Sequence, residues 1–170
     1  VPIICMWDGV GQRAHDGISA LAGTGELLDR LVQCRGRIPM ISLVLGPVVG
    51  VSALAASLAD FTILGEDHGQ LFLSSPLETP EVIEGEIDAA GLGGASLHAS
   101  RSGIACLIAE DEEDACTLAT EILSYLPDHN MADAPFEETA DPANRLNPDL
   151  ETFVPDNPNK PYDMVKVVEE

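Results

Sequence analysis

This sequence of 170 residues is poor in lysine, with only Lys160 and Lys166, and poor in aromatic side chains, which make up 4% of it. Lys and Arg together number 8 against 29 Asp and Glu, a formal net charge of −21. Nucleic-acid binding depends on Lys and Arg neutralising phosphates, so that class of function is excluded. A balance this acidic keeps a protein soluble and would suit a high-salt cytoplasm, although ordinary acidic proteins share it. No apolar run reaches the roughly 18 residues of a membrane span. The longest candidate, 38–58, is broken by Gly46, Pro47 and Gly50. No basic leader region is visible, so a cytoplasmic protein without membrane association is expected. A chain that opens inside a strand reads as part of something longer. The cysteines, Cys5, Cys34, Cys106 and Cys116, are far apart and form no Cys-x-x-Cys pair. Buried free thiols are expected in preference to zinc ligands or disulfides.

What the chain does hold is a repeated unit. The apolar run Ile3–Trp7 predicts a buried strand, which stops at Asp8 and yields to Gly9 and Gly11. A helical pattern starts near Asp16, with Ile18, Leu21, Leu27, Leu28, Leu31 and Val32 at helical spacing. Gly23 and Gly25 interrupt it. Arg30, Arg35 and Arg37 close that helix, where cations suit the dipole or could meet a phosphate. Ile38–Leu45 predicts a second buried strand running into a glycine turn, Gly46–Gly50, and a small-residue helix, Val51–Leu58. Strands are expected at Phe61–Leu64, Leu71–Leu73 and Ile104–Ala109, and a short helix at Ser75–Gly85. Leu92-Gly93-Gly94-Ala95 reads as a further glycine turn. The acidic run Glu110–Asp114 is an ordinary start signal for the helix that follows. The domain reading is a globular region over 1–126, a linker over 127–160 rich in Pro, Asp and Asn, and the start of a following domain or a terminal helix over 161–170.

Strand, glycine turn and helix occur twice, each time at the carboxyl end of a strand, the edge where open α/β folds bind ligands. Glycine permits close approach, and free N–H groups there can hold an anion or a developing oxyanion. A tight connection without any ligand would use the same residues. A serine-hydrolase triad of Ser52, His98 and Asp16 or Asp60 is disfavoured, because Gly50-Val51-Ser52-Ala53-Leu54 lacks the last glycine of a nucleophile elbow. Ser52 reads as a packing residue and His98 as a structural histidine; His15, in the opening turn, is the better placed for ligand contact. No phosphate-loop lysine or dinucleotide fingerprint is present. Backbone chemistry remains: two glycine turns could offer N–H donors to an enolate or thioester oxygen.

These residues resemble a known family. Asp8-Gly9-Val10-Gly11-Gln12-Arg13-Ala14-His15-Asp16-Gly17 resembles the Asp-Ser-Gly-Gly-Ala-Arg-Ile-Gln-Glu-Gly segment of the carboxyltransferase (beta) subunit of biotin-dependent acyl-CoA carboxylases of the propionyl-CoA carboxylase type. Ile38-Pro39-Met40-Ile41-Ser42, with Leu45-Gly46-Pro47 and Gly50, is similar to its Ile-Pro-Gln-Ile-Ser strand and Gly-Pro-Cys-Ala-Gly-Gly turn. Leu58-Ala59-Asp60-Phe61, Leu92-Gly93-Gly94-Ala95, His98 and Ser102-Gly103 continue the likeness in order. Asp141-Pro142, Arg145, Pro148, Leu150, Thr152, Val154-Pro155, Lys160, Tyr162 and Met164 resemble the linker between its two domains.

The resemblance implies an α/β, crotonase-like (ClpP/crotonase) fold of repeated ββα units, incomplete at its N-terminus, forming part of a CoA-binding domain. It implies carboxyl transfer from carboxybiotin to the α-carbon of an acyl-CoA, with no metal on this domain. Val10 and Gly11 would be the backbone oxyanion donors, and Gly9, Arg13, Gly50 and Val51 would line the substrate. The implied partners are a biotin carboxylase or biotin carrier subunit and further copies of the chain, with the site at a dimer interface. The sequence departs from the family where Ser becomes Gly9 and where glycines become Val10 and Val51. A β-branched residue disfavours positive φ. An active carboxyltransferase, a non-catalytic subunit serving assembly, and related acyl-CoA decarboxylase or hydrolase chemistry all fit these departures.

Overall fold

The computed structural model describes residues 1–77, 87–142 and 144–169. The chain divides into two compact units, Val1–Pro135 and Phe136–Glu170. The first unit is mixed α/β, built on a five-stranded sheet. Its strands are β1 (Ile3–Gly9), β2 (Met40–Val49), β3 (Phe61–Gly65), β4 (Gln70–Phe72) and β5 (Leu107–Ala109). The order is β1-β2-β3-β5, with β4 also on β2, and all the strand pairings are parallel.

The middle of the sheet is covered on both faces. From alternate positions of β2 and β3, Ile41, Leu43 and Ile63 pack against Ala109 and against Ala115 and Ala119 of helix α5 (Glu112–Ser124). Val44, Val48 and Leu64 pack on the other face against Ala53 and Ala56 of helix α2 (Val51–Ser57). Alanines on α2 let it lie close to the strands. Met40 and Ala55 meet Leu31 of helix α1 (Ile18–Cys34), with Trp7 beside them. The buried Ser42 hydroxyl accepts a bond from the Trp7 indole at 3.0 Å, which removes the cost of placing a polar group there.

The structure corrects several expectations. β1 is not buried on both sides: Ile4 and Met6 are 44% and 61% exposed. It is an edge strand with one covered face, so its apolar run carries no second core. Likewise Ile18, Leu21, Leu27 and Val32 of α1 are exposed, and only Leu31 of that helix is fully buried. Gly23 and Gly25 do not break α1, which is held by packing along the Leu28–Leu31 side.

The expected turn at Gly46–Gly50 is strand as far as Val49. Trp7 pairs with Val44 and Gly9 with Val48, so two steps along β1 match four along β2. The extra residues form a bulge at Gly46, where an added Cβ would fall on the Asp8 carboxylate. Pro47, which has no N–H to donate, is tolerated at such an irregularity. Before the bulge β2 pairs with β3; beyond it Pro47, Val48 and Val49 pair with Gln70, Leu71 and Phe72 of β4.

The Leu92–Ala95 segment belongs to two short helices, α3 (Ala89–Gly93) and α4 (Ala95–Leu97), joined at Gly94. Neither Gly93 nor Gly94 has positive φ. They are small for close packing: a Cβ on Gly93 would strike the Leu71 carbonyl and the Phe72 ring. Of the expected strand over 104–109, only Leu107–Ala109 forms, because Ala105 N–H turns back to the His98 carbonyl at 3.4 Å. Of the helix expected over 75–85, residues 78–85 lie outside the described residues, and 75–77 are not helical. The acidic run behaves as a cap: the Asp111 carboxylate accepts from Asp114 N–H at 2.8 Å, and Asp114 accepts from Glu110 N–H at 2.9 Å.

The second unit holds helices α6 (Leu150–Phe153) and α7 (Met164–Glu169) and an exposed Arg145–Asp141 ion pair at 2.9 Å. Among the described residues no helix is long and apolar enough to cross a membrane.

Candidate active site

The chain leaves β1 at Gly9 and bends at Gly11, whose φ is +101°. A Cβ on Gly11 would lie 3.1 Å from the Val49 carbonyl oxygen, so this turn rests on the last residue of β2. The next residue, Gly50, also turns with positive φ, at +67°, and opens α2. The two glycine turns are therefore neighbours at the carboxyl edge of the sheet. Val10 has no positive φ and its side chain is 75% exposed, so the β-branched residue sits there without backbone strain.

The free donors of this edge can be named. The Val10 and Gly11 N–H groups take no backbone acceptor among the described residues, nor do those of Val51 and Ser52 in the first turn of α2. Gly50 differs: its N–H is committed to the Phe72 carbonyl at 2.8 Å. At Gly9 an added Cβ would meet nothing within 4 Å. Arg13 follows the turn as an exposed residue.

A cleft of about 240 Å³ opens beside the first turn, lined by Met6, Trp7, Asp8, Gly9, Gly11, Val48 and Ser52. The sequence reading singled out Gly9 and Gly11 for this role but not Trp7, Asp8, Val48 or Ser52. Asp8 and Ser52 adjoin the two glycine turns, which was a usable signal. Val48 lines the cleft only because β2 continues past its bulge, and no sequence pattern announces that. The Ser52 hydroxyl makes no hydrogen bond among the described residues and is available to a ligand.

No hydrolase triad forms. His98 is buried, with Nε2 3.0 Å from the Leu71 carbonyl and Nδ1 2.8 Å from the Ser102 hydroxyl, so both ring nitrogens are occupied away from Ser52. His15 is exposed in a 3₁₀ turn, Ala14–Asp16, and does not line the cleft. Arg35 and Arg37 lie between α1 and the start of β2, at the end of the sheet opposite the glycine turns. All four cysteines are free thiols; Cys106 and Cys116 are exposed, contrary to the expectation of burial, Cys106 in the bend before β5 and Cys116 on the outer side of α5. Burial pushes the Cys5 thiol above its ordinary value.

Known proteins share this arrangement of elements. Residues 1–170 match the model of the carboxyl transferase domain. The alpha subunit of methylmalonyl-CoA decarboxylase from Veillonella parvula is 36% identical over 167 residues, which is 98% of this chain and 33% of that protein. The carboxyltransferase subunit of propionyl-CoA carboxylase from Haloferax mediterranei is 36% identical over 98% of this chain and 32% of its own length. Among solved structures, transcarboxylase 12S, a hexamer with hydrolysed methylmalonyl-coenzyme A bound, superposes with a TM-score of 0.76 at 31% identity, covering 98% of this chain and 33% of its own. The chain thus spans about one third of the length of these relatives. With the family model matched from end to end, the chain belongs to the carboxyl transferase family.

Proposed function

We propose that this chain forms the acyl-CoA side of a biotin-dependent carboxyltransferase that moves a carboxyl group from carboxybiotin to the α-carbon of an acyl-CoA. The observation that carries the reading is the set of N–H groups at Val10 and Gly11 that take no backbone acceptor among the described residues, on a turn resting against Val49, with those of Val51 and Ser52 following the second turn. When the α-carbon of a thioester loses its proton, negative charge develops on the thioester oxygen. Preorganised backbone donors stabilise that charge without needing any conspicuous side chain. Val10 and Gly11 take the role of oxyanion donors. Gly9 leaves room for the approach, Gly50 turns the chain into α2, Val51 offers its N–H, and Arg13 provides positive charge next to the first turn.

Carboxybiotin supplies the carboxyl group when bound. The biotin is carried on a partner subunit or domain, as the family resemblance implies. A crotonase-like arrangement of ββα units is supported by β3 and β4 preceding α3, and by the bulged β2, which acts as two strands in succession before α2. The fragment 1–126 is then part of a CoA-binding domain, and copies of the chain assemble with the site at a dimer interface. The hexameric transcarboxylase 12S is consistent with such assembly.

One observation favours a second reading: the relative named as a methylmalonyl-CoA decarboxylase subunit is as similar as the carboxylase one. Decarboxylation of a carboxylated acyl-CoA passes through the same thioester enolate, so the donors would serve it equally. A purely non-catalytic role gains nothing from Val10, which keeps its N–H free. The test incubates the intact native protein with a biotin-carrying partner labelled in its carboxyl group and propionyl-CoA. Label appearing on the acyl-CoA is expected. Failure of the intact protein to bind any acyl-CoA would overturn the proposal, and loss of label from methylmalonyl-CoA without forward transfer would select the decarboxylase.

A further inference from the structure

We propose that His98 is a positioning residue for the thioester site, holding β4 in place behind both glycine turns. This rests on the carboxyltransferase reading above. β4 is a strand of only three residues, Gln70–Phe72, yet both turns depend on it. The Phe72 carbonyl accepts the Gly50 N–H at 2.8 Å, and Phe72 pairs with Val49, whose own carbonyl backs Gly11. A shift of β4 would therefore move Val49 and Gly50 and, through them, the donors at Gly11 and Val51.

What holds β4 from its other side is the segment 89–102. Because backbone groups alternate along a strand, the Phe72 carbonyl facing β2 means that the Leu71 carbonyl faces away from it. That carbonyl is met by His98 Nε2 at 3.0 Å. A carbonyl only accepts, so Nε2 carries a proton, and Nδ1 lies 2.8 Å from the Ser102 hydroxyl, which also donates to the His98 carbonyl at 3.2 Å. Gly93 packs against the same carbonyl, and Gln70 bridges to Gly94. His98 begins a π-helical turn, His98–Ser102, ended by Gly103 with φ +70°, which aims the ring at β4 and brings Ser102 round to its far nitrogen. Among the described residues His98 makes no hydrogen bond to a residue that lines the cleft, and its Nε2 bond to Leu71 links it to the site through β4.

The test compares His98→Gln and His98→Asn in the intact native protein. Gln presents an amide N–H near the Nε2 position, while Asn reaches only the Nδ1 side. His98→Gln is expected to keep kcat within roughly twofold of the parent; His98→Asn is expected to lower kcat and to speed Gly50 amide exchange, each about tenfold, with KM for acyl-CoA within about twofold. The idea is overturned if His98→Asn leaves Gly50 exchange unchanged, or if Gly50 exchange rises only in step with that of the core amide of Ile63. Should His98→Asn fail to accumulate as folded protein, Ser102→Ala decides: faster Gly50 exchange supports the role and unchanged exchange refutes it. If the parent shows no carboxyl transfer, the carboxyltransferase reading fails, while Gly50 exchange still decides whether His98 positions the turn.

Discussion

Two neighbouring glycines in the first turn should respond very differently to substitution. Gly11 has φ +101° and a Cβ there would lie 3.1 Å from the Val49 carbonyl. Gly9 has no positive φ, and a Cβ would meet nothing within 4 Å. Holding an L-residue in the Gly11 conformation costs about 1–3 kcal/mol, and the contact with Val49 adds to it. If the turn holds against that strain, Gly11→Ala lowers stability by about that amount. If the turn relaxes, the Gly11 N–H swings away, and loss of one oxyanion donor costs about 10²–10³-fold in kcat. Gly9→Ser should change stability by less than about 0.5 kcal/mol and leave turnover close to the parent. The assay is a thermal melt, acyl-CoA affinity by calorimetry, and carboxyl transfer on the same three preparations. Affinity for acyl-CoA should change little beside turnover, because the donor gains strength only as charge develops. Equal behaviour of the two variants in both melt and turnover would refute the reasoning.

Other consequences are as accessible. Asp111→Ala removes the cap on α5 and should cost about 0.5–2 kcal/mol in denaturant unfolding, whereas Asp111→Asn should retain most of it. With a net charge of −21, the melting temperature should rise as salt goes from about 0.1 M to about 1 M, over which the screening length falls from about 10 Å to about 3 Å; a flat profile would mean that self-repulsion is not a significant destabilising force. Cys5, its thiol raised by burial, should react with a thiol reagent more slowly than exposed Cys106 and Cys116 in the native state and equally after unfolding. The sign of the linkage follows: above the ordinary value of 9.0 the unfolded chain gives up the Cys5 proton first, so the stability from keeping it neutral is lost as pH rises further.

The central strands and the two glycine turns were legible in the sequence because buried parallel strands leave unbroken apolar runs, and positive φ selects glycine. Gly50 and Gly11 followed from that logic. Gly46 and Gly93 did not, since each is small to admit a neighbour, the Asp8 carboxylate and the Leu71 carbonyl, and sequence alone does not distinguish a turn from a close approach. The exposure of Ile4 and Met6 was hidden for a related reason: their spelling matches a central strand, and only strand order reveals an edge. In the site, the backbone donors were foreseeable and the walls were not. Val48 and Trp7 reach the cleft through strand pairing, and His98 meets Leu71 from 27 positions further along the chain.

The bulge at Gly46 also bears on how the chain finds its fold. A strand pair with uniform rungs can slide by two residues and still bury the same face, leaving near-equal alternatives in the folding search. Here Asp8 fits only opposite a residue without a Cβ, and the fourth-to-last residue of β2 is the one glycine it contains. Sliding β1 along β2 in either direction would drive the carboxylate into a neighbouring side chain, so this single notch acts as a key that admits one alignment and rejects its competitors.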